Sequence, residues 1–177
     1  MEKNVPIKHI EKLRRRIKLF LVFFIIALCL SGMTAFPLEM QLRIGYQWLE
    51  VHEGNSALGA WIKRVYAGIS QTNRQFPFIA YGTDWLGFAH IVIAVAFVGP
   101  LRDPVRNIWV IEFGLIAAVA VIPMAIVAGE VRGIPVIWRL IDCMFGVVGA
   151  LVLLHCYRDT KLLEKESEHQ EYGYKSG

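Results

Sequence analysis

The sequence predicts an all-α fold, a four-helix transmembrane bundle with an extracytoplasmic cap of one or two amphipathic helices. Hydrophobic residues make up 55% of the 177 residues, and the mean hydropathy of +0.45 lies above the range usual for soluble proteins. The apolar residues form long runs, and a helix that crosses a bilayer needs about 20 mostly apolar residues. Four segments meet this requirement, at about 18–36, 77–99, 104–128 and 135–157.

Residues 1–18 form a basic leader, and we interpret the run after it as a retained span rather than a cleaved signal peptide. The leader is long for a signal peptide, and no small-residue cleavage site follows the apolar run. Its cations favour a cytoplasmic N-terminus, and four spans return the C-terminus to the same side. The cations of the leader are Lys3, Lys8, Lys12, Arg14, Arg15, Arg16 and Lys18. Because orientation and anionic lipid explain this cluster, we expect no nucleic-acid partner.

The outer segment 37–76 is too long for a simple turn and is expected to form the cap. Residues 38–48 alternate apolar and polar side chains, which fits a strand, although Leu38, Leu42 and Tyr46 also share one face of a helix. A lone strand beside a bilayer would leave its edges unpaired, so an interfacial helix is favoured. Residues 58–69 carry a second amphipathic stripe.

Local signals bound the rest of the membrane domain, which we place at 19–157. Asp103 followed by Pro104 has the pattern of an N-cap and first helical position, so the third helix is expected to begin there. The tail 158–177 is charged and mixed in sign, and is expected to be cytoplasmic and partly disordered.

Charged side chains inside the spans are the main functional signal. Asp84 and Asp142 each lie seven residues past a proline that opens a span, roughly 10 Å from the outer boundary. Arg139 precedes Asp142 by three residues and shares its helix face. An ionised group at the bilayer centre costs about 2.5–3.5 kcal/mol, so these three are expected to cluster between the second and fourth spans. Glu130 and Arg132, in the outer turn, could join them at the mouth.

His90 and Glu112 form a second candidate pair, because their depths in antiparallel spans agree within roughly one helical turn. The other span histidine, His155, lies roughly 15 Å deeper, which does not suit a haem with two axial ligands. The carboxylates around His90 are too scattered to hold zinc. No nucleotide-binding or hydrolase motif is present. We therefore predict no cofactor and no metal, and assign no catalytic residue.

Several strings resemble a group of uncharacterised bacterial four-span integral membrane proteins. They are YGTDWLGFAHIVIA, GPLRDPVRNIWVIEFG and RGIPVIWRLIDCMFG, with SGMTAFPLE fitting the same pattern. The resemblance covers most of the chain except its two ends. It implies a bacterial inner membrane and one family domain, and it transfers no activity and no catalytic residue.

Three functional hypotheses follow. The first is a non-enzymatic membrane protein whose charge cluster opens to the outer side and binds a small polar or lipidic ligand or a partner subunit. The second is a small membrane enzyme or proton-coupled redox factor that uses His90 and Glu112 as acid and base. The third is a purely structural accessory subunit of a membrane complex. The expected partners are the lipid bilayer and either another membrane subunit or further copies of the chain.

Overall fold

The computed structural model describes residues 7–52 and 56–175, and these residues are almost entirely helical, with no strand among them. Six long helices and two short ones follow one another along the described chain. The long helices are α1 (Ile7–Ala35), α2 (Leu38–His52), α3 (Ala57–Gln75), α4 (Tyr81–Ala96), α6 (Ile108–Val131) and α7 (Val136–Lys175). A 3₁₀ helix, Pro77–Ile79, precedes α4, and the short α5, Val98–Arg102, follows it.

Among the described residues, four helical segments are long and apolar enough to cross a membrane, which confirms the all-α class and the number of spans. They are Lys8–Ala35, Pro77–Arg102, Ile108–Val131 and Val136–His169. The second combines the 3₁₀ helix, α4 and α5. The chain therefore has the architecture of a multi-pass membrane protein.

The chain divides into two compact units, which are described separately. Unit 1 comprises Met1–Ile26 and Ala94–Gly177, and unit 2 comprises Ala27–Ile93.

In unit 1, the beginning of α1 runs antiparallel to the second half of α7. His9 pairs with Glu166 at 3.1 Å, Arg16 pairs with Asp159 at 3.2 Å, and the rings of Phe20 and His155 lie 6.0 Å apart. The three α1 residues are spaced by seven and then four residues, and their α7 partners have the same spacing in the reverse direction, as antiparallel helices require. Buried side chains at intervals of three or four residues form the seam, as in a coiled coil: Leu13, Ile17 and Leu21 on α1, and Leu153, Cys156, Thr160 and Leu163 on α7.

This pairing corrects the expectation for the tail. Residues 158–175 continue α7 as helix, rather than being partly disordered. The 40 residues of α7 extend about 60 Å at 1.5 Å per residue, twice the length needed to cross the hydrocarbon core. The charged composition of the tail reflects its ion pairs with α1 and its exposed face.

The packing of α6 on α7 depends on a tight turn and on small residues. Gly133 ends the turn with φ of +65°, a left-handed conformation that favours glycine. A Cβ on Gly146 would lie 2.7 Å from the carbonyl oxygen of Ala118, so the two backbones are in close contact there. Sequence placed the start of the third helix four residues too early, because Asp103 ends α5 instead. Its carboxylate accepts from the backbone N–H of Arg106 at 3.1 Å, which stabilises the turn before α6.

Unit 2 contains the end of α1, the hairpin of α2 and α3, the 3₁₀ helix and most of α4. Residues 38–48 are helix, as expected, and the Tyr46 ring stacks on Tyr66 of α3 at 6.0 Å. The Ser56 side chain caps α3 by accepting from the N–H of Gly59 at 3.0 Å. We call α2 and α3 together the α2–α3 hairpin; its position on the extracytoplasmic side remains a prediction.

Candidate functional site

Arg139, in the first turn of α7, pairs with Glu130 in the last turn of α6. The side chain of Arg139 is only 18% exposed, whereas that of Glu130 is 74% exposed. The aliphatic part of Arg139 lies so close to Gly129 that a Cβ there would collide with it. The guanidinium therefore braces the turn between the third and fourth spans, and its buried Nε has no hydrogen-bond partner among the described residues.

Asp142 does not share in this ion pair. It lies one turn further along α7, and its side chain is exposed. Among the described residues of unit 1, its carboxylate has no ion pair and no hydrogen bond. Arg132 is the C-cap of α6, where its backbone N–H donates to Ala128 at 3.0 Å. Its exposed guanidinium also forms no ion pair with the described part of unit 1.

Asp84 belongs to unit 2, in the first turn of α4. It is half-buried, and its backbone N–H donates to Ala80 at 3.2 Å. Its carboxylate makes no hydrogen bond or ion pair with the described residues of unit 2. The sequence-predicted cluster of Asp84 with Arg139 and Asp142 remains a prediction.

His90 is half-buried on α4, and its Nδ1 lies 2.8 Å from the carbonyl oxygen of Leu86, one turn earlier. A carbonyl oxygen can only accept, so Nδ1 is the donor in this contact. Glu112 is a half-buried residue of unit 1, where it interacts electrostatically with Lys161. His90 belongs to unit 2, and the pairing of His90 with Glu112 remains a prediction.

Sequence reasoning missed a polar layer in the seam between α1 and α7. The Asp159 side chain is 11% exposed and pairs with Arg16, while Thr160 is fully buried and its hydroxyl has no partner among the described residues. The signal was present, because the three- and four-residue spacing from Leu153 to Leu163 continues past the predicted end of the span. The charged composition of the tail obscured this spacing.

Within the described ranges, no three His, Cys, Asp or Glu side chains come together in a way that could hold a metal ion. A comparison with profiles of protein families, with curated protein sequences and with solved structures finds no significant match to this chain. The resemblance to bacterial four-span proteins therefore remains a prediction.

Proposed function

We propose that the chain is a non-enzymatic, multi-pass protein of the bacterial inner membrane that binds a partner subunit through the face of α7 around Asp142. Both termini are cytoplasmic in this proposal. The density of basic residues in the leader supports that orientation, because the positive-inside rule counts such charges next to a span. The seam between α1 and α7 then continues into the cytoplasm.

The main support for this proposal is that the Asp142 side chain is exposed on the surface of α7. The residue lies roughly 10 Å along the fourth span from Pro135, beside Phe145, whose side chain is 73% exposed. Exposed apolar side chains are normal on a span, because lipid covers them. A carboxylate among them is costly, about 2.5–3.5 kcal/mol at the bilayer centre and less towards the surface. Arg139 pairs with Glu130, and neither it nor Arg132 forms an ion pair with Asp142. A cation that neutralises Asp142 is therefore expected to come from outside unit 1.

The occupant we propose is a membrane-spanning helix of another polypeptide, with Lys, Arg or His at the depth of Asp142. Charge complementarity selects this occupant, because a purely apolar helix would leave the carboxylate unpaired. The brace of Arg139 and Glu130 supports the same face by fixing the first turn of α7. A ligand-binding role at this cluster has less support, because the guanidinium nearest to Asp142 along α7, that of Arg139, is already paired with Glu130.

The His90 and Glu112 hypothesis for an enzyme has less support. The proton of His90 is directed at the carbonyl of its own helix. Glu112 lies near Lys161, whose ammonium group pairs with Glu164 at 3.1 Å. Neither environment has the arrangement of a poised acid and base.

Photo-crosslinking in cells tests the proposal. A photoreactive amino acid at position 145 of the full chain should give an adduct heavier than the 20.1 kDa protein. The partner peptide in the adduct should contain a basic residue within an apolar run. Asp142→Asn should lower the adduct yield at least about tenfold, because it removes one partner of a desolvated charge pair, whereas Asp142→Glu should retain most of it.

Glu168→Gln is the matched control, because Glu168 is an exposed acid on the same helix. It should leave the yield unchanged. The proposal is wrong if Asp142→Asn crosslinks as well as the wild type, or if the adduct contains two copies of the chain. It is also wrong if position 145 gives only lipid adducts.

A further inference from the structure

The α2–α3 hairpin of unit 2 is connected at both ends to candidate membrane spans. It begins three residues after the span Lys8–Ala35 and ends two residues before the span Pro77–Arg102. Gln41 of α2 also donates to the carbonyl oxygen of Thr34, at the end of α1, at 3.1 Å. These connections and this contact place the hairpin beside the ends of two candidate spans, where a spanning helix meets the lipid headgroups.

A groove of about 720 Å³ lies between α2, α3, the 3₁₀ helix and the start of α4. One set of its lining side chains is apolar and about half exposed: Phe36, Met40 and Ile79. Large apolar side chains that line an open groove at a bilayer surface suit an acyl chain.

Apart from Glu39, the polar side chains that line the groove are cationic or neutral. Arg43 and Arg74 line the groove, and Arg74 also lines an adjoining groove of about 540 Å³ that includes Lys63. Both arginines are exposed, and neither guanidinium forms a hydrogen bond or ion pair with the described residues of unit 2. The described residues that line the two grooves thus include three cations and one carboxylate, that of Glu39.

The carboxylate of Glu39 already has hydrogen-bond partners within the hairpin. It accepts from Asn73 at 2.8 Å and from Ser70. These two hydrogen bonds, with Arg74 and Arg43 nearby, lower the pKa of Glu39 below its usual value. The carboxylate thus joins α2 to α3, and the guanidinium groups keep free donors that can bind a further anion.

We propose that this groove binds an anionic phospholipid, with its phosphate between Arg43 and Arg74 and an acyl chain along Phe36, Met40 and Ile79. A guanidinium presents paired donors that match phosphate oxygens. The groove combines this chemistry with an apolar wall, which free phosphate would not need. The site also accounts for cations on the outer segment 37–76 that the positive-inside rule does not predict.

Native mass spectrometry of the full chain, reconstituted in nanodiscs and released, tests the site. We expect more bound lipid from discs of phosphatidylglycerol than from discs of phosphatidylcholine. Each of Arg43→Gln and Arg74→Gln should lower the retained phosphatidylglycerol roughly fivefold, the effect of one basic residue at an anionic surface. Arg64→Gln is the matched control, since Arg64 is an exposed arginine of α3 that lines neither groove.

Two further arms identify the source of the phosphate. Inorganic phosphate and glycerol phosphate, added in excess, should displace little lipid, because they make no contact with the apolar wall. Wild-type preference for phosphatidylglycerol is measured first, so the test stands even if a variant fails to fold. Equal retention of the two lipids, an equal loss with Arg64→Gln, or full displacement by inorganic phosphate would each overturn the proposal.

Discussion

Replacing Gly32 by alanine should separate two helices of unit 2. A Cβ on Gly32 would lie 2.7 Å from the carbonyl oxygen of Gly87 and 3.0 Å from the Cβ of His90. The first distance is shorter than ordinary contact and involves backbone, so α1 and α4 must move apart locally. Overpacking of this kind costs about 1–3 kcal/mol. Alanine also favours helix over glycine by about 0.5–1 kcal/mol, which offsets part of the loss.

Gly45→Ala provides the matched control, because a Cβ on Gly45 in α2 meets nothing within 4 Å. Gly45→Ala should gain only the stability that comes from the higher helix propensity of alanine. Gly32→Ala should therefore be the less stable variant by about 2 kcal/mol. The assay is unfolding by SDS in mixed micelles, followed by far-ultraviolet circular dichroism, with the free energy of unfolding compared between variants. If the two variants have the same free energy of unfolding, α1 and α4 do not pack as closely as described.

Three other perturbations test separate parts of the structure. Thr160→Val removes a buried hydroxyl that has no described partner, and should raise the melting temperature by an amount equivalent to about 1 kcal/mol; a lower melting temperature would mean that the hydroxyl is satisfied. The hydrogen bond from Asn73 is the main cause of the lowered pKa of Glu39, so the stability that Glu39 contributes is complete above its ordinary pKa of 4.5 and is lost as pH falls through the lower folded value. The protection factors of the α2 amides, which correct exchange rates for their intrinsic pH dependence, should therefore fall on acidification in the wild type and change less in Glu39→Gln; parallel profiles would argue against the hydrogen bond. Gly133→Ala should lower the free energy of unfolding by about 1 kcal/mol, because φ is +65° there; an unchanged SDS midpoint would contradict that backbone conformation.

Hydropathy was sufficient to predict the four spans, because each needs only a long apolar run. It was not sufficient for residues 38–48, where strand and helix periods both fitted. As a helix, this segment packs on α3 through two long-range pairs, Tyr46 with Tyr66 and Glu39 with Asn73. Such contacts join residues far apart in the sequence, which local periodicity does not report.

The charged residues show where local reasoning fails. Arg139 and Asp142 share a helix face, as predicted, yet Arg139 turns back to Glu130 because the short turn brings the end of α6 beside it. Asp103 and Pro104 have the local pattern of a helix start, but the carboxylate stabilises the preceding turn instead. In each case the nearest partner was determined by the tertiary path of the chain.

Labelling of engineered cysteines in intact cells tests the four-span topology most directly. Gln71→Cys on α3 and Glu168→Cys near the end of α7 are added to the wild-type chain, none of whose three cysteines is exposed. A membrane-impermeant maleimide should label position 71 in intact cells and position 168 only after lysis. Labelling of both positions, or of neither, in intact cells would contradict an arrangement with the hairpin outside and the end of α7 inside.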